Sequence, residues 1–246
     1  MDERSFVRKS RRAGKPGAQY RWADQTLDRD EQYRLRREAL LRTAARAFNE
    51  TSYHTTSLDE LARRLNVTKP TLYYYIKDKD DILFECQRIG FEYIKGALSE
   101  AETGSEPGGA KLARFLSRFA ELMTTDFGAC LVRTGLKPLK PESRRKLAVF
   151  AEQLDHTLRN LISTGIKDGS IRPCDPKLMA YAIFGGFNGI AHWYRADGPL
   201  DPQQISSAFI DLFLRGLAPD SPSPARARTL GRAPRPSPHL AARSPQ

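Results

Sequence analysis

Two helix-start signals eleven residues apart constrain this chain more than any other feature. Ser57-Leu58-Asp59-Glu60 reads as a capping box: the serine hydroxyl accepts from the Glu60 amide while Glu60 reaches back. Thr68-Lys69-Pro70 reads as a second cap, with proline in a first turn, where no amide hydrogen is needed. The interval has room for one short helix, Leu58–Leu65, and a turn at Asn66-Val67. The second helix is expected to reach about Ile76, with Leu72 and Ile76 inward. Before both, Leu40, Leu41, Ala44, Ala45 and Phe48 share one face of a longer helix, with arginines opposite. Two short helices on a supporting third form a helix-turn-helix pattern.

The rest of the chain repeats the helical period, and no β-branched alternation is long enough for a sheet. A helix begins near Lys79 and frays at a Gly-rich linker, residues 103–109. Leu112, Phe115, Leu116, Phe119, Leu122 and Met123 mark the next, and a short apolar helix follows around residues 127–132. Pro141 opens a long helix that stops at Gly165 or Gly169. Asp175-Pro176 and Asp201-Pro202 each pair a cap with an N1 proline. The helix after the first, residues 177–194, is apolar nearly all round and should be buried on more than one side. The last helix buries Ile205, Phe209, Leu212 and Phe213 and stops at Gly216. The expected class is all-α with about nine helices: an N-terminal three-helix helix-turn-helix domain and a larger C-terminal helical domain.

Several functions are set aside by what is missing. No apolar run approaches the ~18 residues of a membrane span, and the first residues carry no signal-peptide core, so a cytoplasmic protein without membrane contact is expected. Cys86, Cys130 and Cys174 lie far apart, and the four histidines show no metal-ligand spacing. Neither metal nor cofactor is expected. No phosphate loop, nucleophile elbow or carboxylate pair points to an enzyme.

Charge is uneven. Of the net +11, residues 1–29 carry +4, residues 30–79 carry +3 and residues 219–246 carry +4, while residues 80–218 are neutral. A basic end on a neutral body suits a polyanion. Residues 1–29 read as a flexible basic arm able to add phosphate or minor-groove contacts. Residues 219–246, with seven prolines and five arginines, read as a disordered tail. The domains expected between them are a DNA-binding domain, 30–79, and a ligand-binding and dimerisation domain, 80–218.

The second short helix carries Thr68, Lys69, Thr71, Tyr73, Tyr74 and Tyr75. Hydroxyls, phenols and an ammonium suit phosphate oxygens and major-groove base edges better than an ordinary Glu/Lys surface does. Here, over residues 37–83, the sequence resembles the TetR/AcrR family of transcriptional regulators. The resemblance rests on Ala44-Ala-Arg-Ala-Phe48, Thr55-Thr-Ser-Leu-Asp-Glu-Leu-Ala62, Leu65-Asn-Val-Thr-Lys-Pro-Thr-Leu-Tyr-Tyr-Tyr-Ile76 and Lys77-Asp-Lys-Asp-Asp-Ile-Leu83. It implies that Ser57 and Lys79 hold phosphates at the motif's edges, that Thr68, Lys69, Pro70 and Thr71 face the major groove, and that Tyr74 and Tyr75 reach backbone or bases. Tyr73 would support the helix and touch a phosphate. The family usually has glycine at the positions of Asn66 and Ser52 and an aromatic at Ile76. Asparagine tolerates left-handed dihedrals, so the departure at Asn66 is mild.

In the body, Ala182, Gly185, Gly186 and Gly189 mark a helix that another helix approaches closely. With Phe209 and Phe213 of the last helix, they resemble the family's four-helix dimer interface, and a symmetric pair would read a palindromic operator. Phe115, Phe119, Met123, Phe150 and Phe184 are candidates for lining an apolar effector cavity, with Asn188 and His192 as polar anchors. Residues 187–198 and 213–217 are similar to family members that sense acyl-CoA thioesters, while efflux-type regulators sensing diverse hydrophobic compounds are a competing likeness. The expectation is a repressor released from double-stranded DNA by a hydrophobic small molecule or acyl-CoA thioester. The alternative outside this class is a helical interaction protein that has lost DNA binding.

Overall fold

The computed structural model describes residues 28–216, so the expected basic arm and tail lie outside it apart from Asp28 and Arg29. Those two already belong to a helix start, because the Asp28 carboxylate accepts from the Arg29 amide at 2.7 Å. The described residues hold nine helices and no strand. They are α1 Arg29–Glu50, α2 Leu58–Leu65, α3 Lys69–Tyr73, α4 Lys79–Glu102, α5 Gly108–Met123, α6 Asp126–Arg133, α7 Pro141–Lys167, α8 Pro176–Trp193 and α9 Pro202–Arg215.

Helices α1–α3 close around Leu40, Leu41, Ala44, Phe48, Leu61, Leu72 and Ile76, all buried. The capping box at Ser57 forms by half. Ser57 Oγ accepts from the Glu60 amide at 3.1 Å, but the Glu60 carboxylate is taken by Arg64 one turn later, at 2.6 Å. Asn66 ends α2 at φ 54° and ψ 45°, the left-handed conformation that a short polar side chain tolerates. Ser52, also at positive φ (140°), turns the chain between α1 and α2. Its carbonyl accepts from the Thr56 hydroxyl at 2.8 Å. Helix α3 is shorter than expected. The Tyr75 and Ile76 amides both return to the Leu72 carbonyl, and Asp78 then caps α4 in a new direction.

Helix α4 spans about 36 Å at 1.5 Å per residue and joins the headpiece to the body. Cys86 Sγ donates to the Leu41 carbonyl of α1 at 3.4 Å. Asp80 accepts from the Lys140 amide and the Ser143 hydroxyl, both at 2.7 Å, and so caps the start of α7. In the body, a ladder of rings joins three helices: Phe115 stacks on Phe119, Phe119 on Phe187, and Phe187 meets Phe209, with centroids 5.3–5.5 Å apart. The expected linker 103–109 ends in helix. Gly108 and Gly109 open α5, and their amides donate to Asp168 and Ser170 at 2.7 Å. A side chain on Gly108 would collide with the Gly165 backbone, so both glycines are needed for this approach of α5 to α7.

Candidate nucleic-acid interface and effector cavity

The open face of the headpiece is built by α3 and the start of α4. Leu72 seals the inner side of α3, so Thr68, Lys69 and Pro70 stand in solvent and Thr71 is half-buried. Tyr73 and Tyr74 are 50% and 64% exposed. Ser57 sits at the edge of this face, its hydroxyl engaged in the α2 cap. Thr68 gives no cap bond, and its hydroxyl pairs instead with that of Thr71 at 2.8 Å. Lys69 is held by Asp59 of α2 at 2.9 Å, and that bond raises its pKa. Lys79 lies half-buried, 4.4 Å above the Tyr53 ring, and donates to the His54 carbonyl at 3.3 Å. Burial pulls its pKa down. Phosphate at this position would favour the charged form again.

Tyr75 departs from expectation. It is 7% exposed, and its ring lies 5.0 Å from that of Tyr33 near the start of α1. It therefore packs under the face, while Tyr74, one residue earlier, meets both rings edge-on and stays in solvent. Tyr33 was missed by sequence reasoning, since nothing in α1's apolar stripe marks it as the partner of the tyrosines just beyond α3.

The body holds a cavity of about 430 Å³ between α4, α5, α6, α7 and α8. Of the expected lining residues, Phe119, Phe184 and Asn188 border it. Phe115 and Met123 are buried in the core, and Phe150 packs against that core away from the cavity. His192 is exposed; its carbonyl accepts from Arg133, 3.3 Å away. One turn of helix separates Asn188 from His192, but only the first faces inward. The other walls come mainly from α4 and α6: Gln87, Phe91, Ile94, Leu131 and Val132. Asp155 of α7, paired with Arg159, adds a carboxylate.

Helix α8 is buried on one stripe only, through Ala180, Ile183, Phe187 and Ile190. The opposite stripe carries Leu178, Ala182, Gly185 and Trp193, all exposed, with Gly189 partly so. Among the described residues nothing lies within 4 Å of where a Cβ would stand on Gly185 or Gly189, whereas a Cβ on Gly186 would meet the Phe213 ring at 3.1 Å. The three glycines thus divide between two faces, and Gly186 belongs to packing within the subunit. Phe209 and Phe213 are half-buried against Phe187, and Leu212 stands out from α9. Leu178, Trp193 and Leu212 extend this apolar surface beyond the residues expected.

Among the described residues no group of His, Cys, Asp or Glu side chains is arranged to hold a metal, and no helix is long and apolar enough to cross a membrane. Residues 40–86 match the family model for bacterial regulatory proteins of the tetR family. Residues 105–217 match the tetracyclin repressor-like C-terminal domain. The chain is 30% identical to PfmR of Thermus thermophilus, a TetR family transcriptional regulator; the structures agree with a TM-score of 0.67 over 73% of this chain and 99% of that one. It is 25% identical to AibR, solved with isovaleryl coenzyme A and operator DNA, with a TM-score of 0.65 over 73% and 98% of the two chains. The fatty acid metabolism regulator protein of Bacillus subtilis is 25% identical over 185 residues, 72% of this chain and 93% of its own.

Proposed function

The chain belongs to the TetR family of bacterial transcriptional regulators, and from that premise we propose that it is a dimeric repressor that leaves its operator when an apolar effector fills the cavity. Residues 30–79 bind DNA; residues 80–218 bind the effector and pair two copies. The observation that carries the DNA-binding role is the exposure of Tyr73 and Tyr74 beside Thr68, Lys69 and Pro70 on one open face. Large apolar rings left in solvent cost free energy unless a partner covers them, and here hydroxyls and an ammonium surround them. Pairing through the outer stripe of α8 and through α9 would present two such faces, about 34–36 Å apart for adjacent major grooves.

Helix α6 supplies the link between cavity and headpiece. Leu131 and Val132 line the cavity, Asp126 is bonded to Arg46 and Asn49 of α1, and Arg133 Nε donates to the Ala191 carbonyl of α8 at 2.8 Å. A ligand that fits one position of α6 better than another shifts the spacing of the two headpieces by that difference in affinity. AibR with its isovaleryl coenzyme A and the fatty acid metabolism regulator support an acyl thioester as the effector class.

The test is a mobility-shift titration with DNA upstream of the protein's own gene. The wild type is expected to bind, and a Tyr74→Ala, Lys79→Ala double variant to bind at least tenfold more weakly, since two contacts are lost. A double variant that binds as well as wild type overturns the proposal.

A further inference from the structure

We infer that the effector donates a hydrogen bond, from a hydroxyl or an amide N–H, to Gln87 Oε1 in the wall of the cavity. This rests on the reading of that cavity as the effector site. Gln87 is fully buried on α4 and borders the cavity. Its Nε2 donates to the Cys130 carbonyl at 3.1 Å and to the Gly135 carbonyl at 3.2 Å. Both amide hydrogens are therefore used around the end of α6, at the Cys130 carbonyl, which also accepts from the Thr134 amide, and at the Gly135 carbonyl just beyond the helix. Those two bonds also fix which way the amide points: turned over, Oε1 would face two carbonyl oxygens. The oxygen is left on the other arm of the amide, buried and without a partner among the described residues.

A buried acceptor of this kind discriminates by chemistry. It pairs with O–H or N–H and repels ether, ketone and thioester oxygens. Phe91, Ile94, Phe119 and Leu131 line the same cavity with apolar surface, where a hydrogen bond is strengthened and its absence is felt most. A plain saturated acyl chain offers no donor. A hydroxylated chain does, and so does the amide-bearing arm of a coenzyme A thioester.

Two isomeric pairs of probes test this on the full chain by calorimetry: decan-1-ol against 1-methoxynonane, and N-methyldecanamide against N,N-dimethylnonanamide. The donor-bearing member of at least one pair is expected to bind roughly five- to tenfold tighter than its isomer. Preference in the first pair assigns a hydroxyl, and in the second an amide. In a folded Gln87→Met variant the preference should vanish. Equal affinities within both pairs overturn the inference and leave the cavity as effector site, and so does a preference that survives Gln87→Met. If no probe binds a protein that still shifts operator DNA, the cavity reading falls, and this inference with it.

Discussion

Asp126, the first residue of α6, holds Arg46 of α1 through its carboxylate at 3.0 Å. Its carbonyl accepts in addition from Asn49 at 2.9 Å. The pair joins the short helix that walls the cavity to the long helix that supports the recognition element. Arg46 is mostly exposed, so the ion pair contributes little to stability; its importance is positional. Arg46→Ala combined with Asn49→Ala is expected to change operator affinity by about threefold or more. The midpoint of thermal unfolding should fall by only about 2–4 °C. Fluorescence anisotropy and thermal melts measure the two effects, and unchanged affinity would show that α6 does not set the position of α1.

Neighbouring tyrosines should behave oppositely. Tyr75→Ala removes a ring packed on Tyr33 and is expected to cost about 2–4 kcal/mol of stability. Tyr74→Ala, at an exposed position, should leave stability within about 0.5 kcal/mol while weakening operator binding. Urea unfolding beside a mobility shift separates them. Equal loss of stability in both variants would contradict the assignment of one to the core and the other to the DNA face.

Asn66 tests the turn between α2 and α3. With φ at 54°, a β-branched residue is strained there, and Asn66→Val is expected to cost about 1–2 kcal/mol. Asn66→Gly should be nearly neutral, relieving strain while loosening the unfolded chain. Comparable destabilisation by the two would place the cost in the lost side chain instead of the backbone.

Glu85 gives the pH dependence. Its carboxylate lies between Arg37 of α1 at 2.8 Å and Arg88 at 3.0 Å. Burial raises its pKa, but the bonds from Arg88 and Arg37 outweigh burial and hold it below the ordinary glutamate value. A depressed acid contributes stability above its unfolded pKa, near 4.3, and loses it as pH falls through the folded value. Glu85→Gln should therefore cost about 1–3 kcal/mol at pH 7, shrinking steadily below about pH 4. Urea midpoints at pH 7 and pH 3 check this, and a deficit of constant size would rule out the charge as its source.

The amino-acid order by itself determined the all-helical class, the headpiece and most helix ends. Those rest on neighbours: Ser57 beside Glu60, Asn66 in a turn, proline after Asp175 and Asp201. Caps, steric limits and apolar spacing act within a few residues and are written locally. Tertiary structure decided which side of each helix meets what. It put Tyr75 beneath Tyr33 and left Tyr74 outside, covered Gly186 but not Gly185, and turned His192 outward while Asn188 faced the cavity. It also made Gln87, an unremarked glutamine on α4, the clasp at the end of α6. Burial depends on groups that arrive from distant parts of the chain, and no local pattern encodes which ones they are.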